Sequence, residues 1–268
     1  MPLLKILQES LKLLYREPKI FVPRLITTAL YTTVIIYIAG ITSQIAEATG
    51  YFQGDVASID PAVVRALLGD LVTVLVSLLF LLLLDLISYA MYPALIREHS
   101  AGRPISLNGS LKEALGAWKI LAVLGIVIIL FALAGSIFMV PFQFVALETG
   151  EVSFYLFAAF IVLAAALVLL ILLFFVVPVG VIEKKGVLHA FRHGFALSLR
   201  HKKDLFAINL FFLILSTVTF AFMVLAETQY PGLFALSSII LFILVRVIQA
   251  VIYTYICVVN PYFYIQVR

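Results

Sequence analysis

Charged side chains are scarce in this sequence. Asp, Glu, Lys and Arg make up 12% of its 268 residues, about half of the ~25% that a soluble domain carries. So little polar surface cannot cover a globule of this size, which excludes a water-soluble fold. With 64% apolar residues and a mean hydropathy of +1.19, the excess must face lipid, and apolar runs of spanning length recur along the chain. Cysteine is nearly absent too. Cys257 is the only one and lies inside an apolar run, so no intrachain disulfide forms and redox chemistry says nothing of the compartment.

The signatures of nucleotide and hydrolytic chemistry are also missing. The chain holds no G-x-x-x-x-G-K-[ST] phosphate loop, no G-x-G-x-x-G fingerprint, no G-x-S-x-G elbow and no H-E-x-x-H. No stretch between the apolar runs is long enough to fold a catalytic domain. These absences predict a non-enzyme with no catalytic residues and no cofactor. The formal charge of +4 and pI near 9.1 do not point to nucleic acid, because the bases sit at the ends of apolar runs rather than on one soluble domain. Lys5, Glu9, Lys12 and Arg16 break up the first apolar residues, which argues against a cleavable signal.

What is present is a series of six apolar runs, near 20–46, 67–96, 119–147, 152–182, 204–226 and 233–262. Each is long enough for a helix to cross a hydrocarbon core of about 30 Å. Glu148-Thr149-Gly150-Glu151 separates the third from the fourth, and the breaker from Glu227 to Gly232 separates the fifth from the sixth. Asp60-Pro61 reads as N-cap and first helical residue of the second run. That run exceeds a bilayer's thickness, so it is expected to tilt, bend or begin as an interfacial turn before Gly69. Bases gather on alternate connections: Lys5, Lys12, Arg16 and Lys19 with Arg24 just inside the first run, then Arg97, Arg103, Lys112 and Lys119, then Lys184 to Lys203, then Arg268. The other connections are acidic, with Arg65 as their only base. This sorting predicts a multi-pass cell-membrane protein with both termini cytoplasmic.

A repeat underlies the series. A short amphipathic helix precedes each pair of runs. The apolar stripes are Leu4, Leu7, Leu11 and Leu14; then Leu107, Leu111, Ala114, Leu115 and Trp118; then Leu188, Phe191, Phe195 and Leu199. All follow the helical period. In the second helix Ser110 and Glu113 have capping-box spacing, with Ser106 as an alternative start. Pro93, Pro178 and Pro261 recur near the end of each returning run, about 85 residues apart, where they are expected to end or kink the helix and free a carbonyl. The fold class predicted is therefore all-α: one membrane domain over 1–268, a bundle of six transmembrane helices built as three copies of an interfacial helix plus a hairpin, about 1–97, 104–185 and 186–268. Such interfacial helices anchor hairpins, and their bases pair with anionic lipid. Lys12, Arg16, Lys112, Arg192 and Arg200 are the candidates for headgroup or partner contact.

Two charges lie deep in apolar runs, Asp85 in the second and Arg246 in the sixth, with Gln249 one turn from Arg246. A charge at the bilayer centre costs about 2.5–3.5 kcal/mol even on the lenient insertion scale, so neither should face lipid. They read either as a relay or binding site or as a structural ion pair. Measured from the prolines, the two are offset by about 10 Å along their helices, much of which an arginine can cover by reaching along the span, so direct pairing stays open. His189 and His193, four residues apart, have a spacing able to hold a metal. Two histidines fall short of a closed zinc site, and Glu183 and His201 do not fall on their face, so a solvated basic face and no metal are expected. Gln143, Asn209 and Asn260 read as interhelical hydrogen-bond formers.

The stretch 178–198, PVGVIEKKGVLHAFRHGFALS, resembles the six-span membrane domain found beside some glycerophosphodiester phosphodiesterases, and its stand-alone bacterial and archaeal relatives. These share a proline-ended span, a short "EGKG"-like turn and an "AL-R-SW-L" amphipathic helix. Ala190-Phe191-Arg192 and Phe195-Ala196-Leu197-Ser198 stand in for that helix, with Phe195 where Trp is usual. Pro93 and Leu111 to Leu115 form a second, looser copy. The resemblance implies the six-span topology and no phosphodiesterase activity, since the catalytic domain with its metal ligands is absent. Two functions are expected: binding membrane lipid, or alternatively another membrane protein, through the cytoplasmic helices; or small-solute transport or conduction using Asp85 and Arg246. A polar cavity reaching those two residues would favour transport. A closed bundle with a groove between interfacial helices would favour lipid or partner binding.

Overall fold

In hydrocarbon every backbone N–H and C=O must pair within its own segment, so apolar runs of this length fold as helices. The computed structural model describes residues 3–48, 61–229 and 236–268. Among them the order is α1 (Leu3–Arg16), a 3-10 turn (Pro18–Phe21), α2 (Val22–Ala48), α3 (Pro61–Ser100), α4 (Leu107–Gly116), α5 (Trp118–Thr149), α6 (Val152–Leu173), α7 (Val176–Glu183), α8 (Val187–Arg200), α9 (Lys202–Gln229) and α10 (Leu236–Val267). No strand occurs among the described residues.

Five segments are long and apolar enough to cross a membrane: Pro18–Ile38, Gly69–Ser100, Trp118–Thr149, Val152–Glu183 and Phe242–Val267. The expected run at 204–226 folds as α9, but it is not one of these five over its described residues. α3 begins at Pro61, as expected of a proline at N1, and runs unbroken through Gly69, so no separate interfacial turn precedes it. Asp60, Asp55 and the breaker from Tyr230 onward lie outside the described residues. Gly150, at φ 72, closes α5 in the left-handed conformation that glycine adopts without strain.

The prolines behave differently from one another. Pro93 and Pro261 sit inside helices that continue past them. Only the second-copy counterpart is next to a break: α6 stops at Leu173 and α7 starts at Val176, two residues before Pro178. Pro178 has no N–H for the carbonyl four residues back, that of Phe174. Asn260 of α10 supplies the missing donor, its Nδ2 lying 2.7 Å from that oxygen.

The tightest packing is at this proline-bearing end. Tyr92, Leu95 and Ile96 of α3, Phe175 to Val179 around α7, and Val258, Val259 and Tyr264 of α10 are essentially inaccessible. The core extends to Ile6, Leu13 and Leu14 of α1 and to Ala190 and Leu197 of α8. α2 packs on α3, α5 on α6 and α9 on α10, and α3 and α10 also pack against each other. Away from this end the long helices present apolar surface outward, with Ile137 72% and Leu147 74% exposed. In water each such side chain would forgo about 1.5–3 kcal/mol of burial; against lipid it forgoes none.

The three short helices divide their surfaces in a way the simple stripes did not anticipate. α1 buries Ile6, Ser10, Leu13 and Leu14 against protein and leaves Leu4 and Leu11 exposed. α4 buries Ser110 and Ala114, leaving Leu111, Leu115 and the following Trp118 exposed. α8 buries Ala190, Gly194, Leu197 and Ser198, leaving Leu188 and Leu199 exposed. In α4 and α8 a face rich in small residues meets the bundle, because small side chains let helix axes approach, whereas α1 turns in mainly large aliphatic side chains. Part of each predicted stripe is left on the outside. α4 is capped by Ser106, whose hydroxyl accepts from the Gly109 N–H at 3.1 Å. Ser110 therefore lies within the helix, and Glu113 is drawn instead into ion pairs with Arg97 (2.6 Å) and Lys184 (3.6 Å).

Candidate functional site: a polar cavity between the long helices

α2, α3 and α10 each carry a polar residue into one space. Arg24 follows Pro23 in the first turn of α2 and is only 8% exposed. Its guanidinium pairs with Asp85 of α3 and donates from Nε (3.2 Å) and Nη2 (3.1 Å) to Sγ of Cys257 on α10. A guanidinium's planar fork can serve two acceptors at once, which a lysine could not do with the same geometry. Further out, Arg246 of α10 donates from Nη1 to Gln249 Oε1 at 2.7 Å and from Nε to Thr32 Oγ1 of α2 at 3.2 Å. Phe242 lies one turn away, with its ring centroid 6.0 Å from the Arg246 guanidinium carbon.

These groups line a cavity of about 600 Å³. Its polar lining includes Arg24, Tyr31, Asp85, Asn209, Arg246, Gln249 and Asn260; its apolar lining includes Leu124, Ile128, Leu169, Leu173 and Ile256. The charges do not balance. Arg24 and Asp85 neutralise each other, whereas among the described residues Arg246 meets only neutral oxygens. A second cation inside a low-dielectric space, with no carboxylate beside it, is expensive unless an anion joins it.

The sequence-predicted residues Asp85, Arg246 and Gln249 thus share one cavity. Asp85 and Arg246 do not pair: Asp85 pairs with Arg24, a residue that reads in the sequence as one more base at a helix end. The signal for it was its place inside an apolar run, where a charge needs a partner. Tyr89 and Cys257 also escaped the sequence reading, since neither type stands out in an apolar helix. Asn260 is an interhelical hydrogen-bond former as expected, reaching Tyr89 of α3 as well as Phe174. Asn209 instead donates to Leu205 of its own helix at 2.8 Å, and Gln143 is exposed.

The basic candidates of the short helices, Lys12, Arg16, Lys112, Arg192 and Arg200, are all exposed. Lys12 pairs with Glu9 at 3.0 Å; the other four make no ion pair among the described residues. Only Lys112 lines a groove. This groove, about 580 Å³ between α4 and the α7–α8 turn, also carries Trp118, Lys119 and Lys184. His189 and His193 are partly exposed, their side chains 36% and 40% accessible. Glu183, expected off their face, lies against both, at 2.7 Å and 3.1 Å.

No protein-family model, no curated protein and no solved structure matches this chain, so its own geometry carries the functional reading.

Proposed function

We propose that this chain is a non-enzymatic cell-membrane protein of six spans, arranged as three copies of an interfacial helix plus a hairpin with both termini cytoplasmic. We further propose that it is a small transporter whose cavity takes an anionic amphiphile. The observation that carries this reading is Arg246, which meets no carboxylate among the described residues, in a cavity lined by both polar and apolar side chains. An anionic headgroup would complete the charge balance, and an acyl chain would fit against Leu124, Leu169 and Leu173. The cavity reaches both Asp85 and Arg246, which favours transport over binding through the short helices alone. The resemblance to the six-span domain family accords with this reading at the level of topology.

The test is flux in proteoliposomes. With fluorescent phosphatidylglycerol, dithionite reduction should reveal leaflet exchange in the wild type and at least tenfold slower exchange in Arg246→Gln. A zwitterionic phosphatidylcholine probe should exchange more slowly than phosphatidylglycerol. Equal rates in wild type, variant and protein-free vesicles would sink the transport reading. The groove beside α4 supports a second reading, because three lysines and an outward Trp118 suit an anionic headgroup at the interface. On that reading phosphatidylglycerol copurifies with wild type and Arg246→Gln alike and is lost from a Lys112→Glu, Lys184→Glu double variant.

A further inference from the structure

α7 ends at Glu183, and the chain then reverses through Lys184 at φ 56 and Gly186 at φ 93. Both positions are left-handed, so the reversal is tight and lays the Glu183 carboxylate over the first turns of α8. There His189 and His193, one helical turn apart, present one ring nitrogen each. His189 Nε2 is 2.7 Å from Glu183 Oε2, and His193 Nδ1 is 3.1 Å from Oε1. The three donor atoms lie within 4.8 Å of one another.

We propose that Glu183, His189 and His193 form a binding site for a divalent transition metal of the zinc class. Two imidazoles and one carboxylate are a three-ligand set of the kind that leaves a fourth position open. The donors suit zinc, cobalt or nickel; magnesium and calcium take oxygen ligands and do not suit a pair of imidazoles. Ligands bonded at about 2.1 Å to a tetrahedral ion stand roughly 3.4 Å apart. To admit one, the 2.7 Å contact of His189 would open by about 0.7 Å and the 3.1 Å contact of His193 by about 0.3 Å.

Three further observations fit an ion better than a bare hydrogen-bond cluster. His193 Nδ1 is buried and makes no hydrogen bond despite its proximity to Glu183. The Tyr264 hydroxyl of α10 donates to Glu183 Oε1 at 2.6 Å, the outer-shell contact that orients a ligating carboxylate. The imidazoles stand edge to face, 5.3 Å between centroids, rather than stacked. Lys185, 3.5 Å from Oε2, is the one nearby cation, and its 63% exposed side chain can leave for water. An ion here would staple α8 to the end of α7 and, through Tyr264, to α10. The site stands apart from the cavity and does not depend on the transport reading.

Tag-free, full-length protein in detergent, stripped with EDTA and dialysed, tests this. Calorimetric titration with zinc should show one saturable site per chain with micromolar or tighter affinity. Cobalt should give the visible absorption of a nitrogen- and oxygen-ligated ion. His189→Ala and His193→Ala should each weaken zinc binding at least tenfold, and zinc should raise the melting temperature of the wild type but of neither variant. Absence of saturable zinc binding to folded wild-type protein overturns the proposal. So does undiminished affinity in a folded His189→Ala, His193→Ala double variant. Should that variant not fold, the cobalt spectrum of the wild type decides: a sulfur-to-metal charge-transfer band would assign the metal to Cys257 and refute this site.

Discussion

At the scale of single residues, the cost of burying charge explains most of what the interior contains. Arg24 is tolerated because Asp85 and Cys257 complete its hydrogen bonding, and breaking one side of such a pair strands the other. Replacing Asp85 by Asn should lower stability in detergent by about 2 kcal/mol, less than the 3–5 kcal/mol of a fully enclosed pair because Asp85 faces the cavity. A double variant, Arg24→Gln with Asp85→Asn, should recover part of that loss. Thermal unfolding of both variants in a double-mutant cycle measures the coupling, and additive losses would mean that the two side chains act independently. Asp85 was visible in the sequence as a charge in an apolar run. Its partner was not, because pairing depends on where α2 and α3 meet, and spacing along the chain does not encode that.

At the scale of elements, periodicity gave the short helices, while their contacts decide which face turns inward. Gly194 illustrates the difference. A Cβ at this position would come within 3.0 Å of the Val176 backbone, so α8 meets α7 too closely for any side chain. Gly194→Ala should therefore push the helices apart and cost about 1–3 kcal/mol. Gly116→Ala, with nothing within 4 Å of the added atom, should be neutral or slightly stabilising. Melting temperatures of the two variants, measured side by side, check this. A loss at Gly116 as large as that at Gly194 would show that helix packing is not the cause. The 3.6-residue pattern could not rank these glycines, because it carries no distance to a neighbouring helix. Likewise, proline positions announced freed carbonyls, but only the fold brings Asn260 to the one left by Pro178.

At the scale of the whole molecule, the core is concentrated at the end where the prolines and short helices converge, and the rest of each long helix faces outward. Lipid makes that asymmetry stable, since apolar side chains there lose nothing by staying exposed. The orientation proposed from charge can be checked by labelling in right-side-out and inverted vesicles. In a Cys257→Ser background, a membrane-impermeant maleimide should reach Arg16→Cys only from the cytoplasmic side and Glu148→Cys only from the opposite side. Labelling of both from one side would require an even number of crossings between them, where the six-span arrangement has three, and would refute it. Composition and run length by themselves determined the membrane class, the all-helical fold and the near position of nearly every helix, because hydrocarbon permits no other backbone pairing at such hydropathy. The tertiary structure alone decided that Asp85 belongs to Arg24, that Arg246 is left with neutral partners beside a cavity, and that Glu183 closes on His189 and His193. Those facts depend on distances between helices, and a linear pattern of apolar residues carries the period of each helix but not the rotation or depth at which it meets its neighbours.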